Sequence, residues 1–273
     1  MGRDGEGGKY TRLIISPSPS RGGWGGDGVK MLTGKKITKR FGGLTALSEV
    51  DFEVRRGEIV GLIGPNGSGK TTLFNVISGI YRPEEGDLFF EGRRITDFPP
   101  YKRAGLGIGR TFQIVRPLTG LNLIDNVVTG VLYGRKHTAA TKGAREKAKE
   151  ILDFTGLTQK ARRLPGELVL EDRKRLEIAR ALALNPEILL LDEVFAGLNP
   201  TEISSAIELT FRIRDTYGTT IFMIEHVMKA IMSTCSRIMV LNFGIKITEG
   251  PPEEVANHPE VISAYLGAAY AAC

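Results

Sequence analysis

Gly64-Pro-Asn-Gly-Ser-Gly-Lys-Thr-Thr72 decides the reading of this chain. It follows Glu58-Ile-Val-Gly-Leu-Ile63, an apolar run that reads as a buried strand, and precedes Leu73-Phe-Asn-Val-Ile-Ser78, which reads as a helix packed on a sheet. That strand–loop–helix setting is what a phosphate-binding loop requires. Gly64, Gly67 and Gly69 let the backbone curl with its N–H groups inward, an anion cradle beside a helix N-terminus; Pro65, Asn66 and Ser68 complete its rim. Lys70 can reach the outer phosphates, the Thr71 hydroxyl is placed to ligate Mg²⁺, and Thr72 closes the motif. The stretch therefore predicts a nucleoside-triphosphate site.

A second stretch supplies carboxylates. Ile188-Leu-Leu-Leu-Asp192-Glu193 is too short for a helix between its breakers and reads as a central parallel strand that delivers two acids at its C-terminal end. Ligands of open α/β sheets bind at that end. Asp192 is suited to hold Mg²⁺ through its water shell, and Glu193 to polarise an attacking water.

Size and composition set the frame. The 273 residues suffice for a substantial core, and 25% charged against 41% apolar residues is ordinary for a globular protein. A net charge of +6 suits an anionic ligand or membrane surface and does not by itself argue for nucleic acid. No apolar run approaches the roughly 18 residues that span a bilayer. Cys235 and Cys273 have no metal spacing and suggest no disulfide framework, which fits a reducing cytoplasm. Residues 1–30 have the Gly/Ser/Pro composition of a disordered extension, and Met31 is read as the start of the patterned chain.

Further along, strands are expected at Lys36–Thr38, Leu47–Val54, Asp87–Glu91, Thr219–Ile224 and Arg237–Leu241. Helices are expected at Leu123–Leu132, Ala144–Phe154, Leu176–Ala183 and Thr201–Tyr217. The alternation predicts a mostly parallel sheet with helices on both sides, interrupted by a helical stretch near 98–165 that forms its own lobe.

With these motifs in place, the chain resembles the ABC-type ATPases over about residues 32–267. Gly64–Thr72 and Ile188–Glu193 look like the Walker A and Walker B motifs. Gln113 in Gly109-Arg-Thr-Phe-Gln113, Gly197-Leu-Asn-Pro200, and Glu225-His226 resemble the Q-loop, D-loop and switch histidine. The fold implied is a P-loop NTPase α/β core at 31–267, with an N-terminal antiparallel β-subdomain, an inserted helical lobe at about 98–185, and a short tail at 268–273. By the same resemblance, Gln113 contacts Mg²⁺ and the attacking water, His226 senses the γ-phosphate of ATP, and Phe41 in Lys39-Arg-Phe-Gly42 stacks on adenine.

One motif departs from the family. Its signature, typically Leu-Ser-Gly-Gly-Gln, aligns with Leu168, Val169, Leu170, Glu171 and Asp172, so the serine and both glycines are replaced. In the family this segment reaches a partner's γ-phosphate. Glu171 at about 6 Å from that phosphate would repel it by roughly 3 kcal/mol at an effective dielectric near 20. The milder expectation is that Glu171 and Asp172 start and cap the helix and turn outward.

Gly107–Arg116, Phe41-Gly-Gly43 and the Pro251–Leu266 segment are similar to ATP-binding subunits of branched-chain amino-acid importers. That resemblance implies a peripheral protein at the cytoplasmic face of the membrane. Its partners would be permease subunits, a second ATPase subunit (homo- or heterodimer) and, indirectly, an extracytoplasmic solute-binding protein, with no nucleic acid. Importers of urea, amides or aromatic compounds, lipopolysaccharide export, and non-transport ABC ATPases of DNA repair or translation are the alternatives. Against the last, there are no sustained heptads at 75–170 and only one cassette.

Overall fold

The computed structural model describes residues 28–112, 117–135 and 141–266. Most of the expected N-terminal extension (residues 1–27), Gln113 and the expected tail at 268–273 lie outside the described residues.

Ten strands and nine α-helices are described. The strands are β1 Lys30–Phe41, β2 Leu44–Arg55, β3 Ile59–Ile63, β4 Glu85–Phe90, β5 Arg93–Arg94, β6 Ile108–Arg110, β7 Ile188–Asp192, β8 Thr220–Ile224, β9 Arg237–Asn242 and β10 Ile245–Gly250. The helices are α1 Lys70–Ser78, α2 Pro100–Leu106, α3 Leu123–Tyr133, α4 Thr141–Phe154, α5 Leu170–Ala183, α6 Pro200–Tyr217, α7 Met228–Thr234, α8 Pro252–Ala256 and α9 Pro259–Leu266. No described helix is long and apolar enough to cross a membrane.

The central sheet has the order β10-β9-β3-β8-β7-β6. Its β9/β3, β3/β8, β8/β7 and β7/β6 pairs are parallel, and β10 joins β9 antiparallel. β3, β7 and β8 are buried at every position, which is why they read as unbroken apolar runs. Alternate side chains still go to opposite faces. Ile59, Ile63, Leu189, Leu191, Ile221 and Met223 join a core with side chains of α3 to α7. Val60, Leu62, Ile188, Leu190, Phe222 and Ile224 join a second core under α1 and an antiparallel sheet of order β2-β1-β4-β5. The sheet thus separates a helical layer from the layer carrying α1 and the β-subdomain.

Four elements differ from the sequence expectations. β1 and β2 are 12 residues each, longer than the short runs read from the sequence, because several register shifts break the alternation that marks a strand. Inside the expected helical stretch, Ile108–Arg110 forms the edge strand β6 of the central sheet, paired with β7. Three residues give no readable period. Finally, α5 begins at Leu170, six residues before the apolar pattern suggests. Acidic Glu171 and Asp172 favour a helix N-terminus, so the altered motif runs into the first turn of that helix at Leu170.

Candidate functional site

The loop between β3 and α1 is a tight backbone cradle. A Cβ on Gly64 (φ +152) would stand 2.1 Å from the Leu241 carbonyl oxygen, and one on Gly69 (φ +103) 2.6 Å from that of Ala46. Only glycine fits at either place. The Gly244 N–H, in the β9–β10 turn, donates to the Ser68 carbonyl at 3.0 Å and fixes the loop from outside. Gly69 caps α1 without a side-chain bond, so the first-turn N–H groups, with Thr71 and Thr72 beside them, can face an anion. Lys70, buried, donates to the carbonyls of Gly64 and Pro65 at 2.8 and 2.9 Å. Burial pulls its ammonium below the usual lysine range, while Glu193 and Asp192 act in the opposite direction. The loop, including Gly67, shares with Phe41 and Phe243 the wall of a cleft of ≈ 490 Å³ whose rim also holds Leu44 and Ala46. Asn66 lies on the side facing α9. Phe41 ends β1, is 42% exposed, and meets the Tyr81 ring edge-on at 5.2 Å.

The two carboxylates leave β7 in different settings. Asp192 Oδ2 accepts from Arg110 Nη2 at 2.8 Å, in a pair whose side chains are only 6% and 2% exposed. Arg110 also donates to Asn75 Oδ1 (2.7 Å) and Ser78 Oγ (2.9 Å) on α1, tying β6, β7 and the loop helix together. Among the described residues, Asp192 Oδ1 is buried with no hydrogen-bond partner. Burial raises the Asp192 carboxyl above its ordinary value, opposed by the Arg110 guanidinium. Glu193 follows with φ +52, in the left-handed region, and its Oε1 lies 2.6 Å from His226 Nε2. Its backbone N–H donates to the Ile224 carbonyl at 2.9 Å, and its carbonyl accepts from Lys174 Nζ at 2.7 Å. Glu225, buried, accepts from the Phe195 N–H at 2.7 Å, and burial pushes its carboxyl up to about 7.

The structure thus brings Gly64–Thr72, Asp192, Glu193 and His226 to the C-terminal ends of adjacent strands β3, β7 and β8. It places Leu168 to Asp172 elsewhere, in the helical layer. Leu168 is buried there; Val169, the residue before α5, and Leu170 are 64% and 45% exposed. The expectation that Glu171 and Asp172 cap the helix and turn outward is corrected on two counts. Glu171 lies along the helix, where its Oε1 accepts two bonds from Arg175 at 2.9 and 2.7 Å, so its charge is neutralised four residues on. Asp172 turns inward and is buried against Lys160. Neither carboxylate caps. Basic side chains drew both acids away from the helix end.

Sequence reasoning assigns no role to Arg110, Lys174 or Glu225, the last noted only as the residue before His226. Arg110 stands three residues before Gln113 within the quoted Gly109–Gln113 motif, which was its one available signal. Lys174 sits in a run of basic residues that resembles a solvated face.

A P-loop cradle, two strand-end carboxylates and a neighbouring histidine define a nucleotide-hydrolysing site of the ATP-binding-cassette type. Residues 47–196 match the ABC transporter family, and residues 246–271 match the branched-chain amino acid ATP-binding cassette transporter family. The high-affinity branched-chain amino acid transport ATP-binding protein LivG of Salmonella typhimurium is 42% identical over 245 residues, covering 85% of this chain and 96% of the relative. The cassette MJ1267 of an ABC transporter superimposes with a TM-score of 0.80 at 32% identity, over 87% of this chain and 99% of that one. The cassette MJ0796, solved as a dimer in a post-hydrolysis state with ADP and Pi, gives a TM-score of 0.75 at 26% identity, over 81% and 99%. The chain belongs to the ABC-transporter ATP-binding family.

Proposed function

We propose that this chain is the ATP-hydrolysing subunit of an importer for branched-chain amino acids, docked at the cytoplasmic face of the membrane on separate permease subunits. The observation that carries the proposal is a complete cradle-and-carboxylate site in a chain whose 246–271 segment matches the branched-chain family. In this reading Phe41 stacks on adenine, the Gly64–Gly69 N–H groups and Lys70 hold the phosphates, and Glu193 accepts the proton of the attacking water. His226, already sharing a hydrogen bond with Glu193, faces the γ-phosphate. For Gln113, the family resemblance implies a role in coupling this site to the permease. Mg²⁺, when bound, would supply positive charge that offsets the charge of the phosphates. Thr71, Gln113 and Asp192 would hold it, directly or through water. The unpartnered, buried Asp192 Oδ1 supports that fit, since a buried carboxylate oxygen needs a partner.

The altered first turn of α5 bears on the second ATPase subunit. Val169 and Leu170 offer apolar surface where the family offers a hydroxyl and a close backbone, so the site this turn completes on a partner is weakened. The chain's own cradle depends on what the partner presents. A heterodimer with one fast and one slow site follows. Reconstituting the chain with its permease, partner ATPase and solute-binding protein in liposomes tests the whole reading. Leucine-dependent ATP hydrolysis is expected; hydrolysis that answers urea or amides and ignores leucine would move the chain to another solute class.

A further inference from the structure

Glu193 holds a left-handed backbone, which a side-chain-bearing residue keeps only when its surroundings enforce it. Two of its backbone bonds come from different layers: its N–H is bonded to β8 and its carbonyl to Lys174 on α5. The second is unexpected. Lys174 is 9% exposed, and its ammonium is desolvated enough to lower its proton affinity. An apolar side chain would fill the same place without burying a charge. Four residues earlier on the same helix, the Leu170 side chain lies within 3.0 Å of where a Cβ on Gly197 would stand. The first two turns of α5 therefore hold the segment 193–197 at both ends, Lys174 at Glu193 and Leu170 at Gly197. Beyond Glu193, the Glu225 carboxylate fixes the Phe195 N–H.

We propose that Lys174 is a positioning residue for Glu193: its bond to the Glu193 carbonyl keeps that residue's carboxylate aimed at the attacking water. The inference rests on the reading of Glu193 as the group that accepts the water's proton.

The test uses the assembled transporter and measures kcat and KM for MgATP, nucleotide affinity and thermal stability. Lys174→Met, which keeps the apolar stem and removes the donor, is expected to lower kcat roughly 10- to 100-fold with nucleotide affinity unchanged. Lys174→Arg, which retains a donor, is expected to recover most of that loss. In a Glu193→Gln background, adding Lys174→Met is expected to change the residual rate less than twofold. Should Lys174→Met not accumulate as folded protein, Lys174→Gln, whose shorter stem stops its amide short of the Glu193 carbonyl, replaces it in the comparison with Lys174→Arg. A parental kcat in Lys174→Met overturns the proposal, as does a loss that follows the melting temperature, or one that persists in full in the Glu193→Gln background. If Glu193→Gln itself turns over at the parental rate, the role of Glu193 fails; an inactive Glu193→Gln beside a fully active Lys174→Met removes the Lys174 proposal alone.

Discussion

Replacing Arg110 with methionine should cost this protein about 3–5 kcal/mol at pH 7, the range for removing one partner of a buried ion pair. The structure allows that figure to be bracketed. At the 2.8 Å separation of Arg110 and Asp192, the Coulomb attraction at an effective dielectric of 20 is about 6 kcal/mol, an upper limit before desolvation. The stranded carboxylate has an escape, which is to take up a proton. From the ordinary aspartate value of 3.8, doing so at pH 7 costs about 4 kcal/mol at most, which caps the electrostatic loss. The lost bonds to Asn75 and Ser78 add to it. The cap also sets a pH signature. Without Arg110 the folded carboxyl moves further upward, so stability fully present below the unfolded value is lost as pH rises through the folded one. At pH 5 the cap shrinks to about 2 kcal/mol, and Arg110→Met should be correspondingly milder. Urea unfolding of the full chain, with Asp192→Asn and the double variant, reads both effects. The reasoning is refuted if Arg110→Met costs under about 1 kcal/mol, or if its cost is undiminished when Asp192 is already asparagine.

Two further outcomes can be checked independently. Lys70→Ala removes the ammonium now tied to the Gly64 and Pro65 carbonyls, and should weaken binding of a fluorescent ATP analogue at least about tenfold, a charge-assisted phosphate bond being worth roughly 1.5–3 kcal/mol; unchanged affinity would count against the cradle. Glu225, with its carboxyl raised to about 7, keeps its proton in the folded state where the unfolded chain, near 4.5, has lost it. Its contribution is therefore fully present below pH 4.5 and lost by about pH 7, a fall of about 3 kcal/mol. Melting curves from pH 4.5 to 8 should show Glu225→Gln gaining on the parent as pH rises, and parallel profiles would rule the assignment out.

What was legible in the sequence is what rests on local pattern. The cradle could be read because glycines at 64 and 69 answer a local backbone need, and β3, β7 and β8 because full burial leaves unbroken apolar runs. The site residues that escaped act over long sequence distances. Arg110 meets Asp192 across 82 positions, and Lys174 meets Glu193 across 19, in pairings set only when β6 and α5 pack. A buried lysine inside Arg173-Lys-Arg175 looks the same as its exposed neighbour Arg173. The inward turn of Asp172 likewise depends on Lys160, placed by the chain before α5. Strand β6 carries too few residues to declare a period, and bulges hid the full length of β1 and β2.

The proposed hydrolysis requires Glu193 to ready water against a phosphate held by the loop at Lys70. Glu193→Gln keeps the size and a hydrogen-bonding group at the site and removes only the base. In the assembled transporter loaded with radiolabelled ATP, the decisive quantity is the fraction of bound nucleotide converted to ADP with time. Tight, stoichiometric retention of intact ATP is expected, with conversion slowed roughly 10²- to 10⁴-fold. Conversion at the parental rate with nucleotide still bound would contradict that role of Glu193.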